Sequence, residues 1–154
     1  MEKDMKLRKF IATTIREYLN ENMSYKLDGD YTNYYINDKK VGYIEYYYDG
    51  GTFSEYLPDA NKHKEFYIGM IEVFEDFRGN DYSTEMLNHI KKFAKEKGAT
   101  IITLRVDDGT GFTKRQPNKG LEKIYLRNGF KYQHSEDEYN LNKDLNLGAM
   151  YFLL

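Results

Sequence analysis

The chain has 154 residues, 31% of them charged, a formal net charge of −2 and no cysteine. This length suits a single domain, residues 1–154, that can bury a core without disulfides or metal, and the missing thiols exclude disulfides, cysteine nucleophiles and cysteine-ligated zinc. The balanced charge gives no reason to expect nucleic acid or an anionic membrane as partner, and no stretch reaches the roughly 20 apolar residues of a membrane span.

The opening MEKDMKLRKF has no apolar signal core and reads as the start of a cytoplasmic protein. Leu7, Phe10, Ile11, Ile15, Tyr18 and Leu19 then predict an amphipathic helix over Lys6–Asn20. Tyrosine is unusually common, with 16 copies against no tryptophan, and suits half-buried strands as well as wet binding surfaces. Two tyrosine-rich runs, Tyr31–Ile36 and Val41–Tyr48, flank NDKK and read as a hairpin. Residues 49 to 61, with Gly50, Gly51 and Pro58, read as a loop.

Glu65–Phe74 reads as a strand buried on both faces, and Ser83–Lys97 as a helix with Met86, Leu87, Ile90, Phe93 and Ala94 on its inner face, ended by Gly98. Thr100–Val106 is the next strand, which makes the unit a crossover between parallel strands. After a loop at DDGTGFTKRQ, Pro117 opens a helix carrying Leu121, Ile124 and Tyr125, and Gly129 closes it. Phe130–His134 and Leu147–Leu154 are the last strands, with SEDEYNLNKD as a solvated connection. The sum is an α/β fold: a mixed, mostly antiparallel twisted sheet with a parallel β-α-β crossover and helices on both faces. His89 reads as a half-exposed helix residue. His134, beside Glu136, Asp137 and Glu138, has no second histidine at ligand spacing, so no metal is expected.

FRGNDYSTEML, Phe77–Leu87, has the composition of an anion-binding turn. Arg78 and Gly79 open it, Ser83 and Thr84 can donate hydroxyls, and a helix N-terminus follows. No Walker lysine follows, and GTGFTK at Gly109 lacks the Gly-Lys-Ser/Thr ending, which argues against nucleotide triphosphates. The segment from Val73 to Ser83 resembles the main motif of the GNAT acyltransferase superfamily, a strand ending in valine followed by Arg/Gln-x-x-Gly-x-Gly/Ala and a helix. A second family motif, Asn-x-x-Ala-x-x-ϕ-Tyr-x-x-x-Gly-Phe, is matched by Asn118, Leu121, Ile124, Tyr125, Gly129 and Phe130, with Leu121 in place of alanine. Together the two motifs cover Phe66–Tyr132.

The resemblance implies an N-acetyltransferase that moves an acetyl group from acetyl-CoA to a primary amine of a small molecule or protein. It also implies that Ile71 and Val73 bond the pantetheine arm through their main chain and that Arg78, Gly79, Asn80, Asp81, Tyr82 and Ser83 cradle the pyrophosphate, with Asn118 also at the cofactor. A backbone N–H near Val73 would face the thioester oxygen, and Tyr125 would protonate the leaving thiolate. Dimerisation is common in the family. Lys114 and Arg115 fit either a mobile basic loop or a contact with the 3′-phosphate, the loop being the commoner case.

Asp81 stands where the family has glycine, and it has two readings. It points outward and lends only backbone, or its carboxylate fills the anion site and leaves an inactive GNAT-like binding or inhibitory module. The tolerance of aspartate for left-handed backbone favours the first. For the general base, unbroken strand alternation puts Glu65, Tyr67, Gly69 and Ile71 on one side, with Glu72 facing away unless a bulge flips it. Tyr67 or Glu65, acting through water, is then the candidate, and His63 falls to the loop.

Overall fold

A computed structural model describes residues 2–18, 22–48, 62–106, 119–143, 145 and 147–154, without the side chains of residues 12–18 and 119. In chain order the elements are α1 (Glu2–Tyr18), β1 (Met23–Asp28), β2 (Tyr31–Ile36), β3 (Lys39–Tyr47), β4 (Glu65–Val73), a 3₁₀ turn (Glu75–Phe77), α2 (Tyr82–Glu96), β5 (Ile101–Arg105), α3 (Lys119–Arg127), β6 (Lys131–Tyr132), α4 (Glu136–Leu141) and β7 (Ala149–Leu153). The strands form one sheet in the order β1-β2-β3-β4-β5-β7-β6. The β4–β5 pair is parallel, and the β1–β2, β2–β3, β5–β7 and β6–β7 pairs are antiparallel. This is the mixed sheet the sequence predicts. Two compact units divide the chain, Met1–Glu45 with Met70–Asn88, and Tyr46–Gly69 with His89–Leu154.

In the first unit two short turns set the strand register. Asn37 and Asp38, at φ 48° and 64°, make the two-residue turn whose twist matches a hairpin. The tolerance of Asn and Asp for left-handed backbone explains why NDKK folds this way. Tyr34, Ile36, Val41 and Ile44 are buried, and the Tyr34 hydroxyl donates to the Met86 carbonyl of α2 at 3.4 Å. β3 and β4 approach closely. The Phe74 amide donates to the Val41 carbonyl at 2.8 Å, and a Cβ built on Gly42 would lie 2.2 Å from the Glu72 carbonyl oxygen.

Two features of this unit depart from the sequence reading. β1 is a strand that the pattern does not announce. It pairs along its whole length with β2, yet Tyr25 and Leu27 stay about half exposed, so no buried apolar face signals it. The first helix begins at Glu2 rather than Lys6, and Leu7, Phe10 and Ile11 are exposed. Helical periodicity is therefore right about the conformation of this stretch, and the part of its apolar stripe with described side chains is exposed.

The second unit is built on aromatic packing. Phe66 is fully buried, with its ring stacked on Tyr46 at 5.0 Å and edge-on to Phe93 of α2 at 6.1 Å. Helices α2 and α3 end the same way. In α2, Gly98 at φ 89° sends its N–H to Lys95 while the Ala99 N–H reaches Ala94. In α3, Gly129 at φ 90° sends its N–H to Leu126 while the Phe130 N–H reaches Tyr125. Each is a Schellman end, with glycine at the left-handed position. Tyr-x-x-x-Gly-Phe is thus the spacing of a helix stop, and the rings of Tyr125 and Phe130, 5.7 Å apart, supply its apolar contact. Lys91 fastens this end by donating to the Asn128 carbonyl at 2.6 Å, with its ammonium 4.0 Å from the Phe152 ring centre.

SEDEYNLNKD is largely exposed over its described residues, in keeping with the solvated connection read from the sequence. It contains α4, capped by the Ser135 hydroxyl, which accepts from the Glu138 amide at 3.1 Å. His134 is buried beside it, with Nδ1 3.1 Å from Glu138 Oε2. No described helix is long and apolar enough to cross a membrane.

Candidate active site

The turn between β4 and α2 carries the clearest site geometry, and it lies in the first unit. Arg78 has φ −71°, Gly79 86° and Asp81 61°, while Asn80 is not among the positive-φ residues. Arg78 is extended, with ψ 155°, and the two left-handed residues that follow suit a turn in which main-chain amides can meet an anion. The N-terminus of α2 begins at Tyr82, where the first N–H groups have no intrahelical partner and carry about half a positive charge. A Cβ built on Gly79, which is exposed, meets nothing within 4 Å, so the turn is open there. Asp81 takes the left-handed conformation that glycine would supply.

Its carboxylate is held by neighbours. Thr84 Oγ1 donates to Asp81 Oδ1 at 2.8 Å, and Lys9 Nζ stands 3.6 Å from Oδ2. Asp81→Gly keeps the backbone available and removes one negative charge, worth about 1 kcal/mol against a nearby phosphate. The expected outcome is acetyl-CoA binding tightened about fivefold, measured by titration calorimetry.

The rest of the turn is built from local bonds. Arg78 Nε donates to the Val73 carbonyl at 3.0 Å, and Asn80 Nδ2 to the Phe77 carbonyl at 3.2 Å. The arginine therefore closes the loop onto the end of β4 and occupies one of the main-chain acceptors assigned to a ligand from the sequence. Tyr82 is buried and Ser83 half-buried at the helix start.

β4 corrects the sequence reading of its faces. Phe66 and Ile68 are buried, Gly69 and Met70 are both exposed, and Ile71 is buried. Burial changes parity between Ile68 and Ile71, as it does where a strand carries an extra residue. Ile71 therefore does not share the face of Glu65 and Tyr67. The described register pairs with β5 run from Glu65↔Ile101 to Ile68↔Leu104, and β4 continues to Val73. Glu72 is half-buried, and its Oε2 accepts from the Tyr43 hydroxyl at 3.0 Å.

In the second unit Tyr125 is almost fully buried on α3. Burial, with a smaller contribution from the neighbouring Tyr67 phenol, raises its pKa well above the ordinary phenol value. Tyr125 is thus a proton donor throughout the working pH range. Tyr67 is half-buried and stacked on Tyr47 with centroids 6.4 Å apart. Glu65 is tied to the next strand, where Thr103, itself fully buried, donates its hydroxyl to Glu65 Oε2 at 2.6 Å. The ring of His63 lies 3.1 Å from Thr100 Oγ1 at the start of β5. Asn118, Lys114, Arg115 and the loop from 49 to 61 lie outside the described residues.

A profile of the acetyltransferase (GNAT) family matches residues 6–130, and the chain belongs to that family. An uncharacterized N-acetyltransferase of Brevibacillus brevis is 35% identical over 77 residues, which are 48% of this chain and 46% of that protein. Among solved structures, a GNAT-family acetyltransferase of Listeria monocytogenes superposes with a TM-score of 0.57 at 18% identity, covering 82% of this chain and 65% of that one. A PaiA N-acetyltransferase of Thermoplasma acidophilum in complex with coenzyme A gives 0.55 at 16%, covering 91% and 66%. A GNAT acetyltransferase of Elizabethkingia anophelis with acetyl-CoA bound gives 0.53 at 16%, covering 92% and 82%. The chain thus spans about half the length of the curated relative and under two thirds of the Listeria structure.

Proposed function

We propose that the chain is an N-acetyltransferase that moves an acetyl group from acetyl-CoA to a primary amine. The observation that carries this reading is the turn with left-handed backbone at Gly79 and Asp81 leading into the N-terminus of α2, which suits a diphosphate. The main-chain amides from Gly79 to Ser83 would hold the diphosphate, and Ile71 and Val73 would align the pantetheine arm as an added strand does. Membership of the family and the coenzyme bound in the two related structures support the same assignment.

When bound, the coenzyme supplies the activated acyl group; the chain's own groups supply position and proton control. An N–H near Val73 would steady the negative charge that gathers on the thioester oxygen. Tyr125, which holds its proton, would give it to the departing sulfur. Tyr67, beside it, and Glu65, held by Thr103, would order the solvent through which protons leave. With no cysteine to carry the acyl group, we infer direct transfer.

Titration calorimetry with acetyl-CoA tests the reading. Binding in the micromolar range is the expected result. A folded protein that shows no heat at millimolar coenzyme would instead leave an inactive binding module whose cradle Asp81 closes.

A further inference from the structure

We propose that Lys9 of α1 belongs to the diphosphate site: Asp81 anchors its ammonium beside the turn, where it meets the phosphate charge that the Asp81 carboxylate would otherwise repel. The inference rests on the acetyl-transfer reading and adds to it a cation brought from outside the turn and its helix.

The turn is short of positive charge. From Glu75 to Glu85 the chain carries Glu75, Asp76, Asp81 and Glu85 against the single cation Arg78. Arg78 commits its Nε to the Val73 carbonyl at 3.0 Å. Main-chain amides and a helix N-terminus attract an anion, but a carboxylate beside them works against it. A diphosphate held here therefore needs a counter-charge that the local sequence does not contain.

Lys9 supplies one. Its Nζ stands 3.6 Å from Asp81 Oδ2, while Thr84 Oγ1 donates to Oδ1 at 2.8 Å. Each carboxylate oxygen thus faces a donor from a different helix, α1 or α2. The pair is lopsided in exposure, with the lysine side chain 57% exposed and the aspartate side chain 14%. An anion arriving from solvent meets the ammonium before the carboxylate. An ammonium has three N–H donors, so it can keep Oδ2 and still reach a phosphate oxygen. At 3.6 Å the contact is a loose charge pairing rather than a tight hydrogen bond, which lets the flexible stem lean toward a ligand. Lys6, the lysine before it on α1, is instead paired within the helix, 3.2 Å from Glu2.

This arrangement gives the aspartate in a glycine position two uses. Its backbone, at φ 61°, keeps the left-handed step of the turn. Its carboxylate fastens a cation from another element beside that step.

Titration calorimetry on the full chain with acetyl-CoA tests the assignment. Lys9→Met keeps the stem and removes the charge. Affinity should fall about tenfold, and Lys9→Arg should retain it. The lysine is largely exposed, so the melting temperature of Lys9→Met should stay within about 2 °C of the parent value. Lys3→Met removes the same charge about 9 Å earlier along the helix axis and should change affinity less than about twofold. Dephospho-coenzyme A keeps the diphosphate and lacks the 3′-phosphate, so Lys9→Met should weaken its binding by the same factor. Acetyl-CoA affinity should fall more steeply with potassium chloride in the parent protein than in Lys9→Met, a readout that a merely structural lysine would not move. Beside Asp81→Gly, where the ammonium has lost its anchor, the cost of Lys9→Met should shrink to about twofold. Unchanged acetyl-CoA affinity or unchanged salt dependence in Lys9→Met, an equal loss in Lys3→Met, or a loss that disappears with dephospho-coenzyme A overturns the assignment. A parent protein that binds no acetyl-CoA is a different failure: the acetyl-transfer reading falls, and the assignment of Lys9 with it.

Discussion

Tyr125→Phe should lower turnover about a thousandfold while acetyl-CoA binds as before, since loss of a positioned general acid costs on the order of two to four decades. The substitution removes one oxygen and leaves the ring that packs on Phe130 at 5.7 Å. The Schellman end of α3 is made by main-chain bonds to the Tyr125 carbonyl, so the helix stop survives. Thermal melting and calorimetry separate this outcome from unfolding; unchanged turnover would remove Tyr125 from the mechanism. The raised phenol value has a second consequence. Folded Tyr125 holds its proton more tightly than the unfolded residue does, so its stabilising effect is complete below the ordinary phenol value, about 10. It is lost as pH rises from there toward the folded value. Stability of the parent protein should therefore fall more steeply than that of Tyr125→Phe above about pH 10, measured by denaturant unfolding along a pH series.

Gly42→Ala should destabilise the protein by about 3 kcal/mol or more, at the upper end of overpacking costs. The new methyl would stand 2.2 Å from the Glu72 carbonyl oxygen and 3.1 Å from the Val73 Cα, both main-chain atoms. A flexible side chain could swing aside, whereas here β3 and β4 must separate. That would weaken the Phe74–Val41 bond and displace the strand end from which Arg78 closes the turn. The fold and the cradle should suffer together, so the variant should show a lowered melting temperature and weaker acetyl-CoA binding. A stable variant with full affinity would show that the strands can part at little cost.

Glycine punctuation made much of the fold legible. Gly98 and Gly129 mark helix ends because only a left-handed residue completes the main-chain bonds there. NDKK marks a hairpin because Asn and Asp tolerate the same backbone. The helix over Leu7–Ile11 was legible as a helix, but its apolar stripe is exposed, since periodicity reports a conformation and not what covers it. β1 was missed for a related reason: an edge strand with two exposed faces buries nothing that would impose alternation on its sequence.

The sequence by itself determined the parallel crossover, the anion-suited turn with its aspartate in a glycine position, and the tyrosine of the Gly-Phe helix stop. Local main-chain preferences and short-range spacing encode each of these. Only the tertiary structure decided which way β4 turns its side chains. Burial changes parity between Ile68 and Ile71, and nothing in the composition of the strand marks where that change falls. The partners of Glu72, Glu65 and Asp81 were likewise beyond reach, because Tyr43, Thr103 and Lys9 lie 29, 38 and 72 positions away along the chain and meet them only once the chain has folded.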